Sequence, residues 1–115
     1  MHDDTRKRSI DPATYGELLA TTGDDFAKEL VGTFLEEAPV MLAELRAAHA
    51  TGHAEAFRRA AHSLKSNSQT FGALALAAMA RALELNPLPA DASALDALAH
   101  EYARAAAALT ELRDA

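Results

Sequence analysis

Hydrophobic residues recur every three or four positions along most of this chain, and this spacing predicts amphipathic helices. The clearest stripe continues in phase past Pro39, so we expect that proline to kink its helix rather than end it. The stripe consists of Ala27, Leu30, Val31, Phe34, Ala38, Met41, Leu42 and Leu45. Later stripes include Phe57, Ala60, Ala61, Leu64 and Phe71, then Leu76, Met79, Ala80 and Leu83, and finally Leu95, Leu98, Tyr102, Ala105, Leu109 and Leu112. No segment alternates as a half-buried strand does.

Capping and breaking residues divide this pattern into elements. Asp11-Pro12 predicts the start of a short helix that ends near Ala20, before the break at Thr21-Thr22-Gly23. The other predicted helices run from Asp24 to Thr51-Gly52, from His53 to Thr70, from Ala73 to Leu85, and onward from Asp91-Ala92-Ser93. Short loops between amphipathic helices favour antiparallel neighbours. The predicted fold is therefore all-α: an antiparallel up-and-down four-helix bundle over residues 10–115, with a short additional N-terminal helix and a flexible segment at residues 1–9.

Composition and charge narrow the function. A chain of 115 residues, of which 50% are hydrophobic, fits one domain with one core. The net charge of −6 argues against a nucleic-acid partner, which would require clustered Lys and Arg. The chain has no cysteine, no apolar run of membrane-spanning length, no apolar signal segment and no glycine-rich phosphate loop. We expect a cytoplasmic protein that does not bind a membrane and does not bind ATP itself.

The most informative residue is His62, which lies within the third predicted helix. At about 100° per residue, it faces away from the apolar stripe and towards solvent. Five polar residues lie within about 60° of it around the helix axis: Glu55, Arg58, Lys65, Ser66 and Gln69. We expect Lys65 and Arg58 to surround the ring with positive charge, which favours the neutral, nucleophilic imidazole.

The segment that follows His62 resembles a known signature. The run from His62 to Ala73, HSLKSNSQTFGA, is similar to that of histidine-containing phosphotransfer (HPt) domains of bacterial phosphorelays: His, any residue, Leu, Lys, a small residue, then a polar stretch to Gly-Ala. The Asp-Pro opening, the segment Glu36-Glu37-Ala38-Pro39 and the glycine before the histidine helix also look like the family. The chain departs from the commonest pattern at Ser66, where many members have glycine.

The resemblance implies a fold and a role. HPt domains are four-helix bundles that accept a phosphoryl group from a receiver-domain aspartyl phosphate and pass it to another receiver. By this match His62 is the phosphoacceptor, Lys65 is the cation beside it, and Gly72 makes the turn between the two central helices. Ser66, Gln69 and Arg58 are expected to support the site, and Ser66 to narrow the choice of partner.

The same resemblance defines what the chain needs from other molecules. It implies a monomeric phosphocarrier without kinase activity of its own, whose partners are receiver domains and a hybrid histidine kinase. The chain is expected to bind no cofactor and no metal, because the receiver supplies Mg²⁺.

Three other interpretations compete with this one. The bundle could be an interaction module that binds a receiver or kinase without being phosphorylated, although the intact histidine argues against it. An enzyme in its own right would need a second catalytic group within hydrogen-bonding distance, and the sequence shows none. His49 and His53 have a helical metal-ligand spacing, but Gly52 separates them and no third ligand is evident.

Overall fold

Helices make up most of the computed structural model, which describes residues 9–115. Five lie wholly within that range: α1 (Pro12–Thr22), α2 (Asp24–Thr51), α3 (Ala54–Thr70), α4 (Leu74–Leu85) and α5 (Ser93–Asp114). These residues contain no strand, which confirms the all-α prediction. The predicted flexible segment lies outside the described residues except for Ser9, which is buried.

The first helix begins and ends on side-chain and glycine caps. Asp11 Oδ2 accepts hydrogen bonds from the Thr14 amide and hydroxyl, at 3.2 and 2.6 Å. The helix continues two residues beyond the predicted end at Ala20, because the Thr22 hydroxyl donates to the Leu18 carbonyl at 2.8 Å and stays within the helical pattern. Gly23, at φ 85°, then ends it.

Helix α2 runs without interruption through Pro39. Proline has no amide hydrogen, so the carbonyl one turn earlier, that of Leu35, loses its helical donor. The hydroxyl of Tyr102, on α5, donates to this carbonyl at 3.4 Å. A side chain from the neighbouring helix thus partly replaces the missing bond.

The predicted apolar stripes meet in one core. Helix α2 packs against α3, α3 against α4, α4 against α5 and α5 against α2, while α1 lies against α2 and α3. Phe34 contributes to the centre of this core, with its ring centroid 5.0 Å from that of Phe71 and 6.1 Å from that of Tyr102. The stripe on α5 is shorter than predicted, because Leu112 is 41% exposed near the end of the last helix.

A tight turn at Gly72 joins α3 to α4. Its φ of 80° is in the left-handed region, and the amides of Gly72 and Ala73 donate to the Gln69 and Ser68 carbonyls. The Gly72 carbonyl accepts a 2.7 Å hydrogen bond from the Asp11 amide. A Cβ atom at residue 72 would lie 2.9 Å from the Asp11 carbonyl oxygen. The start of α1 is therefore packed directly on the turn that fixes α3 beside α4.

Candidate functional site

His62 lies on the outward face of α3. On the inward face, Phe57, Ala61 and Leu64 are at most 2% exposed, whereas the His62 side chain is 57% exposed. The buried residues hold the helix to the core and leave the imidazole accessible to another molecule.

The ring of His62 has a partner on the next helix. Its Nδ1 lies 2.7 Å from Oε2 of Glu84, which is in the last turn of α4. The other carboxylate oxygen, Oε1, is fully buried and lies 3.1 Å from Lys65 Nζ, a contact that is an ion pair rather than an aligned hydrogen bond. The Glu84 and Lys65 side chains are only 15% and 19% exposed. Glu84 therefore has one oxygen on the imidazole and the other on the ammonium group.

The electrostatics agree with this geometry. The hydrogen bond from the His62 ring, and next the interaction with Lys65, hold the pKa of Glu84 below its ordinary value. An ionised carboxylate only accepts hydrogen bonds, so Nδ1 of His62 must carry the hydrogen. In a neutral ring the lone pair is then on Nε2. The contact with Glu84 thus determines which nitrogen is nucleophilic.

Two expectations about the surroundings of His62 are wrong. The ring is not surrounded by unpaired positive charge, because Arg58 forms an ion pair with Glu55 and Lys65 forms one with Glu84. A second ionisable group does lie within hydrogen-bonding distance, namely Glu84. Both errors come from considering α3 alone and not the acidic residue that α4 contributes.

The remaining predicted site residues lie farther from the ring. Ser66 is exposed one turn after His62, as its position on the helix predicts. Gln69 is exposed near the end of α3, and its side chain makes no hydrogen bond within residues 9–115. Gly72 is buried in the turn described above. The structure thus brings Lys65 to the imidazole through Glu84, and it does not bring Gln69 there.

An open cavity of about 380 Å³ lies beside the ring. Its lining consists of Glu55, Arg58, Arg59, His62, Ser63 and Glu84. Arg59, which the sequence reasoning did not single out, is exposed and forms no ion pair within the described part of the chain. Arg59 and Ser63 also line a larger groove between α2 and α3. Arg59 is thus a cation at the edge of the His62 site that has no carboxylate partner among the described residues.

The histidine pair considered as a metal site is engaged in other contacts. His49 Nε2 lies 2.9 Å from the Pro89 carbonyl oxygen, and His53 Nδ1 lies 2.7 Å from the Thr51 hydroxyl. Among residues 9–115 no three His, Asp or Glu side chains are placed to hold a metal ion.

Comparison with known proteins gives one match. A family model described as "Hpt domain" matches residues 29–108, which extend from α2 into α5 and include His62 and Glu84. Searches of curated proteins and of solved structures return no match. Within the described residues, no helix combines the length and apolar character needed to cross a membrane.

Proposed function

The chain belongs to the Hpt domain family, whose members carry phosphoryl groups in two-component signalling, and we propose that His62 is the residue that carries the phosphoryl group here. The single observation that supports this assignment best is the contact between His62 Nδ1 and Glu84 Oε2 on an otherwise exposed ring. It leaves Nε2 as a lone-pair donor that faces solvent from a rigid helix.

The proposed reaction begins with an acyl phosphate on the aspartate of a receiver domain. Nε2 of neutral His62 attacks phosphorus in line, the P–Nε2 bond forms, and the P–O bond to the aspartate breaks with its electron pair left on the carboxylate. The hydrogen on Nδ1 stays in place, so no proton transfer is required. Transfer to a second receiver is the reverse sequence with a different carboxylate.

Positioning and charge account for what this chain contributes. Glu84 fixes the ring orientation, and Lys65 fixes Glu84 through its second oxygen. Arg59 supplies an unpaired positive charge at the rim of the cavity, where it can approach the transferred phosphoryl group. Mg²⁺ arrives with the receiver domain, and the chain acts as a carrier without kinase activity of its own.

The arrangement of the helices is part of the same proposal. We infer that α2 to α5 run alternately up and down. Contacts between α2 and α5 support this: Arg46, late in α2, pairs with Asp96, early in α5, while Leu35, earlier in α2, contacts Tyr102, later in α5. Such a bundle presents the His62 face of α3 and α4 to one partner at a time. A monomer that meets receiver domains and a hybrid histidine kinase in the cytoplasm completes the proposal.

Phosphoryl transfer from a receiver tests this function directly. The purified chain is incubated with a phosphorylated receiver domain and Mg²⁺, and acid-labile, base-stable phosphate on the chain is measured. We expect wild type and His100→Ala to gain phosphate and His62→Ala to gain none. His100 is a matched control because it is also exposed but lies on α5.

The same assay separates the two candidate functions. If wild type binds the receiver but gains no phosphate from any member of a broad panel, the chain is an interaction module. If His62→Ala still gains acid-labile phosphate, the assignment of the phosphoacceptor is wrong.

A further inference from the structure

Glu84 contacts the ring nitrogen that does not receive the phosphoryl group. After Nε2 has attacked phosphorus, the ring carries a positive charge, because Nδ1 keeps its hydrogen. A phosphorylated imidazole in water can release that hydrogen, and cleavage of its P–N bond would then produce an anionic imidazolate. Retention of the hydrogen makes neutral imidazole the leaving group, which departs far more readily.

The structure favours retention. Oε2 of Glu84 lies 2.7 Å from Nδ1, a distance at which a carboxylate and an unprotonated ring nitrogen would place two lone pairs against each other. Lys65 holds the other oxygen, and the carboxylate is largely shielded from water at 15% exposure. Rotation of Glu84 away from the ring would therefore break the ion pair with Lys65.

The other charged groups near the ring do not substitute for Glu84. Those that line the cavity are Glu55, Arg58 and Arg59, all on α3. Glu55 and Arg58 neutralise each other in an ion pair. Arg59 is a cation and cannot accept the hydrogen of Nδ1. Within residues 9–115, Glu84 is the acceptor that contacts this nitrogen.

We propose that Glu84 keeps phosphorylated His62 protonated on Nδ1, so that this protein is a short-lived, readily discharged phosphoryl donor and not a phosphate store. This inference rests on the proposed function, because it concerns the phosphorylated form of the same residue. Glu84 acts here as a positioning residue, through the ring and not on phosphorus.

Discharge balances without any further reagent. An aspartate carboxylate of a receiver, or water, forms a bond to phosphorus while the P–Nε2 bond breaks, and the electron pair of that bond returns to Nε2. The product is neutral His62 with hydrogen still on Nδ1. With water as acceptor, inorganic phosphate and one proton are released.

Chemical loading makes the test independent of any receiver. Wild type, Glu84→Gln and Glu55→Gln are phosphorylated with phosphoramidate, freed of reagent, and followed by intact mass at several pH values between about 6 and 9. Glutamine preserves the shape of Glu84, and its amide can donate to an unprotonated Nδ1. We expect phosphorylated Glu84→Gln to live about three- to tenfold longer than wild type near pH 8, because a charge-assisted hydrogen bond is roughly twice as strong as a neutral one.

Glu55→Gln controls for the loss of a negative charge beside the same cavity without any change at Nδ1, and we expect it to have the wild-type lifetime. A second measurement uses wild type alone: the Nδ1–H signal of phosphorylated His62 should persist in ¹H–¹⁵N spectra near pH 8. Equal lifetimes of wild type and Glu84→Gln, or absence of that signal, would overturn the inference. Failure of the proposed function would be seen separately, as the inability of His62 to gain phosphate from a phosphorylated receiver.

Discussion

Replacement of Gly72 by alanine should destabilise the fold more than the same change at any other glycine of the described chain. Gly72 joins the helix that bears His62 to the helix that bears Glu84, and its carbonyl also accepts the Asp11 amide at 2.7 Å. An alanine Cβ would lie 2.9 Å from the Asp11 carbonyl oxygen and 3.1 Å from the Thr14 Cβ. Neither neighbour is the tip of a flexible side chain, so the first turn of α1 must move.

The magnitude follows from two contributions. A residue other than glycine in the left-handed region costs about 1–2 kcal/mol, and Gly72 has φ 80°. Displacement of α1 weakens the hydrogen bond between Asp11 and Gly72, and an intramolecular hydrogen bond of this kind contributes about 0.5–1.5 kcal/mol. We therefore expect Gly72→Ala to lower the free energy of unfolding by about 2–4 kcal/mol.

Urea unfolding monitored by circular dichroism measures this value, and two other glycines separate the contributions. Gly52 has φ 71°, but an added Cβ would meet nothing within 4 Å, so Gly52→Ala should cost only the backbone term of about 1–2 kcal/mol. Gly32 lies within α2 in open space, and Gly32→Ala should stabilise the protein by about 0.5–1 kcal/mol. If Gly72→Ala costs no more than Gly52→Ala, the close packing of α1 on the turn has no energetic weight and the reasoning is refuted.

Three further predictions concern single side chains. Tyr102→Phe should lower the free energy of unfolding by about 0.5–1 kcal/mol, because the Leu35 carbonyl freed by Pro39 loses its donor; a Pro39→Ala background, in which the helical donor returns, should abolish the difference in urea melts. The lowered pKa of Glu84 means that the stability contributed by its ionised form is present above its ordinary pKa of 4.5 and lost as pH falls through the lower folded value, so the stability gap between wild type and Glu84→Gln should close near pH 3; a gap independent of pH would contradict the ionised contact. Arg59→Gln should slow phosphoryl transfer from a receiver about two- to fivefold, whereas Arg58→Gln should have a smaller effect because Arg58 is already paired with Glu55; equal effects in a rapid-quench assay would remove the distinction between the two arginines.

The part of the fold that periodicity determines could be predicted from the sequence. The stripe on α3 is buried as expected at Phe57, Ala61 and Leu64, because residues three and four apart share one face of a helix and apolar residues on that face seek the core. The ends of helices were less predictable. Thr22 stays helical because its hydroxyl finds the Leu18 carbonyl, a local contact that competes with the break expected before Gly23.

The exposed face of His62 was predictable for the same reason, but its charge environment was not. Positions around one helix axis show that Lys65 and Arg58 flank the histidine, yet they give no information about neighbouring helices. The acidic partners decide the net charge. Glu55 neutralises Arg58 within the same helix, while Glu84 reaches Lys65 from α4, and only the packed structure places Glu84 there.

Glu84 nevertheless left a signal in the sequence. Where two helices are joined by a tight turn and pack side by side, residues equally far from the turn lie at about the same height. His62 and Glu84 are equally distant along the chain from Ala73, which follows the Gly72 turn. Glu84 also lies next to the stripe residue Leu83, on the edge of α4 rather than on its outermost face. A search for ionisable residues at the mirrored position of the hairpin would have found this carboxylate. The position of Gly72 thus determines the height at which α4 meets α3, and with it which nitrogen of His62 is free to react.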